Sequence, residues 1–235
     1  MKILKKHRKG FTLIELLVVI AIIGILAGLA GAGIPAAMNT VRQMQASAKL
    51  RSIGQAYTSY STSGGKTRNI SNKGSNPEKG QATSVADYAE VLARYAGLTD
   101  ARTWYVESDN AIQSDIPMTV LSETTTGSNQ LKDVSPISWA VVANAQRNPK
   151  NQSGYPMAWL RGLNSDGTWA EDAPFGTGVG IILFADGSVQ KVSNLQLDQV
   201  MMKADGKGTT SNFQEAITSG SSSGGLVPTV LEDKP

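Results

Sequence analysis

The residues able to do chemistry in this chain are few. There is no cysteine, and the single histidine, His7, lies in a basic N-terminal decamer. The remaining residues therefore cannot form a Ser-His-Asp or Cys-His centre, a zinc finger, a His-ligated metal site or a disulfide. What is left is carboxylates, hydroxyls, Lys and Tyr. Two places gather such groups in a telling setting. Glu15 is a lone carboxylate inside an apolar run. Asn164, Asp166, Glu171 and Asp172 crowd oxygen ligands around the Gly167 turn, which is the donor chemistry of Ca²⁺, although the spacing is not that of an EF-hand. A solvated Asp-Gly turn is the plainer reading of that loop. A glycosidase would need two marked carboxylates, and no pair stands out, so the chain is not expected to be an enzyme.

Composition narrows the classes further. The chain has 235 residues, 22 Lys and Arg against 19 Asp and Glu, and a net charge of +3. Five of the basic residues lie in the first ten; the other 17 face 19 acidic ones, a net of −2. The basicity is thus a terminal tag and not a nucleic-acid surface. Lys66, Arg68, Lys73 and Lys79 do make the 61–83 loop basic, but as an ordinary solvated loop.

The tag leads into Phe11–Ile34, 24 residues whose only charge is Glu15. As a helix this run rises about 36 Å, enough for a ~30 Å hydrocarbon core, with the basic flank on the cytoplasmic side. It is too long for the apolar region of an ordinary cleaved secretory signal. A charge at depth in lipid is costly. Glu15 is explained either by the positive end of the helix dipole or by a cut just before Phe11, which would place a new α-amino group one helical turn away or on a neighbouring copy.

Lys9-Gly10-Phe11-Thr12-Leu13-Ile14-Glu15 resembles the processing motif of type IV prepilins and type II secretion pseudopilins. The resemblance implies cleavage between Gly10 and Phe11 by a prepilin peptidase, N-methylation of Phe11, and a contact of Glu15 with the Phe11 amine during assembly. It implies a homo-oligomeric helical filament, with an assembly platform and minor pilins as partners; nucleic acid is not expected as a partner, from the charge distribution above. It implies a single-pass precursor in the bacterial inner membrane with its N-terminus cytoplasmic, then a periplasm-spanning or cell-surface filament. A membrane-anchored binding module is the alternative from another class.

Gly24 and Gly28 form a small-x-x-x-small pair suited to close helix packing. Pro35 removes a backbone donor and is expected to kink or unwind the helix near Gly31–Gly33, a region the resemblance implies is partly melted in the filament. Beyond it, Ala46, Leu50, Ile53, Tyr57 and Tyr60 make one helical stripe. The expected organisation is a leader over 1–10, a long helix over 11–60 (11–34 for membrane and filament core, 35–60 amphipathic), a head over 61–204 and a Gly/Ser-rich mobile tail over 205–235.

Within the head, Ser84-Val85-Ala86-Asp87 is a capping box that opens a helix over 85–96, stopped by Gly97. Strands are expected at Met118–Leu121, Ile137–Val142, Met157–Leu160 and Val179–Phe184. Asp186-Gly187 predicts a two-residue type I′ hairpin into a short strand at Val189–Val192, and Leu195–Met202 reads as a last helix. Trp104, Tyr105, Tyr155, Trp159 and Trp169 are expected in the core and not on a sugar-binding face. The fold class is α+β, a long N-terminal helix against a small antiparallel sheet. Leu50–Ala56 and Phe184–Val189 are also similar to a pilin-like branch with a C-terminal Phe-x-Asp-Gly hairpin. Many members of that branch have a His ten residues before the Asp, where this chain has Gly176.

Overall fold

The computed structural model describes residues 11–65, 68–112, 115–122, 127–146, 149–219 and 227–233, with no side chains described at 29–33, 36 and 65. Helix α1 spans Leu13–Thr62 and runs through Pro35 without a break. The missing Pro35 amide removes one rung of the ladder and the helix continues past it, so the expected unwinding near Gly31–Gly33 is not seen. The chain divides into two compact units, 1–43 and 44–235. In the first, every described side chain from Phe11 to Val41 is exposed.

In the second unit the stripe Ala46, Leu50, Ile53, Ala56 and Tyr60 is buried. Gly54 lies on this face, and a β carbon on it would come within 2.8 Å of Leu183. Glycine is what lets this part of α1 settle on the sheet. Tyr57 stacks on Tyr88 with ring centroids 6.3 Å apart, and Tyr60 meets Tyr95. Both partners belong to α2, Val85–Ala96. As the sequence predicts, Ser84 caps α2 by accepting the Asp87 amide, and Gly97 ends it in the left-handed region at φ 74°.

The sheet is antiparallel, five-stranded and ordered β4-β3-β2-β1-β5. Its strands are β1 Trp139–Ala143, β2 Pro156–Leu160, β3 Gly180–Phe184, β4 Val189–Val192 and β5 Thr229–Leu231. The first three are buried along their whole length, so both faces are covered. Cross-strand partners share a face. Ala158 and Leu183 are partners and look toward Gly54 of α1. Trp159 and Ile182 are partners on the opposite face, where Phe213 of α4 (Phe213–Thr218) packs on Trp159 at 5.4 Å. The architecture is α+β. The four tryptophans and Tyr105 and Tyr155 are in the core.

Several local expectations are corrected. Met118–Leu121 is not a strand but two isolated bridges, Asp100 with Thr119 and Leu121 with Asn129. Only Val120 of that run is buried, so no face exists to hold a strand. The hairpin at Asp186-Gly187 is present, but its loop has three residues. The Gly187 amide donates to the Phe184 carbonyl, and Gly187 alone takes positive φ, at 84°. This is a type I turn closed by a left-handed glycine. The helix expected over Leu195–Met202 is a single turn, α3 Leu195–Asp198, ended by Gln199 at φ 44°, and a further helix, α4, follows it. The 61–83 loop buries Ile70, Pro77, Gly80 and Ala82 and ties Ser71 to Gln81, and so is packed where an exposed loop is expected; Lys66 lies outside the described residues. Among the described residues of the tail, α4 buries Ala216 and Ile217 and β5 forms a sheet edge, so these pack where a mobile tail is expected.

Candidate functional site

The candidate site is the start of α1. Gly10 and the leader lie outside the described residues. Phe11 is 84% exposed, and the helix begins two residues later. Thr12 stands at the cap position and Glu15 three residues on. Glu15 Oε2 accepts hydrogen bonds from the Thr12 amide and the Thr12 hydroxyl, both at 2.8 Å, and Thr12 Oγ1 accepts from the Glu15 amide at 3.4 Å. This is a reciprocal capping box, which satisfies amides that the first helical turn leaves without partners. It is a third account of Glu15, and the T-x-x-E spacing carries it in the sequence. The carboxylate is held one turn from Phe11, pointed at the helix start, where the dipole also favours a negative charge.

Within and beyond this box Leu13, Ile14, Leu16, Leu17, Ile20, Ile23 and Ile25 are all exposed. No heavy atom comes within 4 Å of a β carbon built on Gly24 or Gly28, so both present open backbone, and Pro35 is exposed on the same helix. Among the described residues no helix is long and apolar enough to cross a membrane.

The calcium candidates are differently placed. Asp166 Oδ1 accepts from the Thr168 amide at 2.9 Å and its hydroxyl at 2.6 Å, closing the turn, and Asn164 donates to the same hydroxyl. Asp172 is engaged by Arg161 at 2.9 Å, and Glu171 is exposed. Among the described residues no group of three or more His, Cys, Asp or Glu is placed to hold a metal ion.

A polar cluster with no sequence signature lies beneath this loop. Arg161, 1% exposed at the end of β2, forks onto buried Asp109 through Nε at 2.9 Å and Nη2 at 2.5 Å, and reaches the Asp172 carbonyl with Nη2 at 2.6 Å. Ser138 donates to Asp109 at 2.8 Å and accepts from the Val106 amide. Burial works against the guanidinium charge, but the two aspartates outweigh it and raise the Arg161 pKa. Its partners lie 52 and 11 residues away in the chain, so the cluster ties the 106–112 and 170–173 loops to the sheet.

The model of the prokaryotic N-terminal methylation motif matches residues 5–31. The chain is also similar to type IV major fimbrial proteins FimA of Dichelobacter nodosus. Three of these are each 46% identical over 59 residues, a quarter of this chain and 35–36% of the relative. The chain therefore spans about a third of the length of the curated relatives it matches. No solved structure matches it. The match to the methylation motif covers the capping box and the exposed helix behind it, and through this N-terminal segment the chain is type IV pilin-like.

Proposed function

We propose that this chain is the precursor of a structural subunit of a type IV pilus-like filament. A prepilin peptidase cuts between Gly10 and Phe11, Phe11 is N-methylated, and α1 polymerises. The observation that carries the reading is a coincidence of position. The methylation motif ends on a helix that begins two residues after the expected cut and leaves its apolar side chains uncovered. Exposed apolar surface on this scale calls for a covering partner. Before assembly that partner is the inner membrane, crossed by residues 11–34 with the basic leader on the cytoplasmic side; afterwards it is the same helix of neighbouring copies.

Glu15 has a place in this scheme. Cleavage turns the Phe11 amide into a cationic amine within one helical turn of a carboxylate already aimed at the helix start. In the filament the charge is matched by an amine, of the same copy or its neighbour, and the desolvation that would oppose a lone carboxylate in apolar surroundings is offset. Gly24 and Gly28 supply the open backbone for close helix contact. The function is mechanical, with no reaction carried by the head.

The test is to shear cells, separate filaments from membranes, and take the intact mass and N-terminal peptide of each fraction. A chain starting at methylated Phe11 in the sheared fraction is the expected result. The same start confined to membranes would assign the chain to a secretion pseudopilin, and a chain starting at Met1 in every fraction would overturn the prepilin reading.

A further inference from the structure

Helix α1 lies close on the sheet at Gly54, where a β carbon would come within 2.8 Å of Leu183. Further along, between the last turns of α1 and the hairpin that follows β3, the contact opens into a cavity of about 330 Å³. That is the low end of the roughly 300–1,000 Å³ typical of small-molecule sites. Ile53, Tyr88, Met157, Leu183 and Phe184 are its buried lining. Thr58, Arg68 and Gln152, all exposed, stand at its mouth.

Two independent features mark this cavity. The first is a bulge in β2. Pro156 is partnered by Phe184 and Ala158 by Leu183, which leaves Met157 as an extra residue with no partner across the pair. Successive side chains of a regular strand face opposite sides, yet Met157 and Ala158 both line the cavity. Bulges re-aim side chains in this way beside active sites, and a thioether is a flexible, polarizable surface for an aromatic ring. The second feature is charge. Arg68 is the one charged side chain among the described lining residues, and no ion pair among the described residues includes it. The neighbouring hydroxyls of Thr58 and Thr62 donate to the Gly54 and Thr58 carbonyls of α1. Their protons are spent on the helix, and the guanidinium is left as the donor with charge at the mouth.

We infer that this cavity binds a small aromatic carboxylate, its ring beside Tyr88, Met157 and Phe184 and its carboxylate on Arg68. The buried lining asks for an apolar body, and tyrosine and phenylalanine rings pack well against a further ring set offset or edge-on. The uncompensated cation asks for an anion. A carboxylate matches a guanidinium through two parallel hydrogen bonds, a geometry that a lone ammonium partner would not offer. The volume suits a body of one or two fused rings. The site lies wholly in the head, so it stands whether or not the filament reading is right.

The test takes the full-length protein in detergent micelles, with its methionine methyl groups labelled for NMR, and naphthoate as the probe. A ring lodged beside Met157 moves its methyl resonance, which Met157→Leu identifies among the seven methionines. The expected result is a shift of that signal that saturates below about 1 mM probe. Arg68→Gln should weaken the affinity by about tenfold or more, the loss of a charge-assisted hydrogen bond. Neutral naphthylmethanol should bind the unaltered protein as weakly. Thr58→Trp, a change on the exposed helix surface, should close the mouth and remove the shift. A Met157 signal that does not saturate, or saturates alike in Arg68→Gln, overturns the inference. So does a shift confined to Met38 and Met44 on the exposed part of α1, which would place the probe on the helix and micelle. The titration of the unaltered protein decides the matter if a variant fails to fold, and a failed filament preparation leaves every readout unaffected.

Discussion

Glu15 and Thr12 close on each other at the start of α1: the carboxylate receives both the amide and the hydroxyl of Thr12 at 2.8 Å. One carboxylate therefore has two separable jobs, capping through its oxygen atoms and pairing through its charge. Gln preserves the first and abolishes the second, since either residue completes a capping box. Glu15→Ala should leave cleavage intact and impair assembly, and Glu15→Gln should do the same although the cap is retained. The yield of sheared filaments and the mass of the N-terminal peptide read this directly. Full assembly by the Gln variant would reduce Glu15 to a cap.

The second prediction concerns a pair whose contact is absolute. A β carbon on Gly180 would lie 1.7 Å from Trp169 Cζ2, so the first residue of β3 is glycine because the indole occupies the space. Gly180→Ala must displace a buried ring or the strand, and overpacking of this kind costs about 1–3 kcal/mol or more. Gly24→Ala meets nothing within 4 Å and should leave the melting temperature of the head unchanged. Thermal melts followed by tryptophan fluorescence separate the two. Equal melting temperatures would show that Trp169 has another site.

What could be read from the residues, and what could not, follows the range of the interactions. Local signals were legible: the Ser84 cap, the Gly97 stop and the Asp186-Gly187 hairpin all lie within a few residues of what they determine. Even there the turn type differs, because Gly187 alone takes up positive φ and Asp186 does not. The Thr12–Glu15 box is equally local, in the T-x-x-E spacing, but a charge in an apolar run points first to its depth in lipid. Non-local contacts left no trace. Arg161 and Asp109 are separated by 52 residues, and each alone looks like an ordinary surface charge. Strand β5 is three residues after a Gly/Ser-rich stretch, and only its pairing with β1, some 90 residues earlier, makes it a strand. The Asp166 loop shows the converse: crowded carboxylates in sequence need not converge, since Asp172 turns to Arg161 and Asp166 to Thr168.

That divergence gives a third prediction. Removing Arg161 leaves Asp109 buried without its cation, and removing the Asp109 charge leaves Arg161 only Asp172 at its outer end; breaking a buried pair in this way costs about 3–5 kcal/mol. Arg161→Met and Asp109→Asn should each be strongly destabilising, and the double substitution less so than their sum. Asp172→Asn, at the exposed end of the same guanidinium, should cost no more than about 1 kcal/mol. Urea unfolding of the four proteins, combined as a double-mutant cycle, tests the set. A single Arg161 substitution as mild as Asp172→Asn would mean that Asp109 finds another donor.

The last prediction is a loss of stability on the alkaline side. Burial raises the pKa of Tyr88 and Tyr105 and pushes Tyr155 up to about 12, the last against the opposing hydrogen bond from the Gln146 amide. Tyr155 also donates to the Ile217 carbonyl of α4 at 3.5 Å, so its proton joins the C-terminal region to the core. A folded-state pKa above the unfolded value of 10.0 means that above pH 10 the unfolded chain has lost phenol protons that the folded chain keeps. The unfolded state then binds fewer protons, and stability falls as pH rises. Each such tyrosine contributes a slope of about 1.4 kcal/mol per pH unit until its folded pKa is reached. Phenolate absorbance and far-ultraviolet circular dichroism, recorded together from pH 9 upward, should show the buried tyrosines ionising in the same step as unfolding. Tyr155→Phe should make the decline shallower. Ionisation of all the tyrosines near pH 10 with the fold intact would contradict the burial of these three.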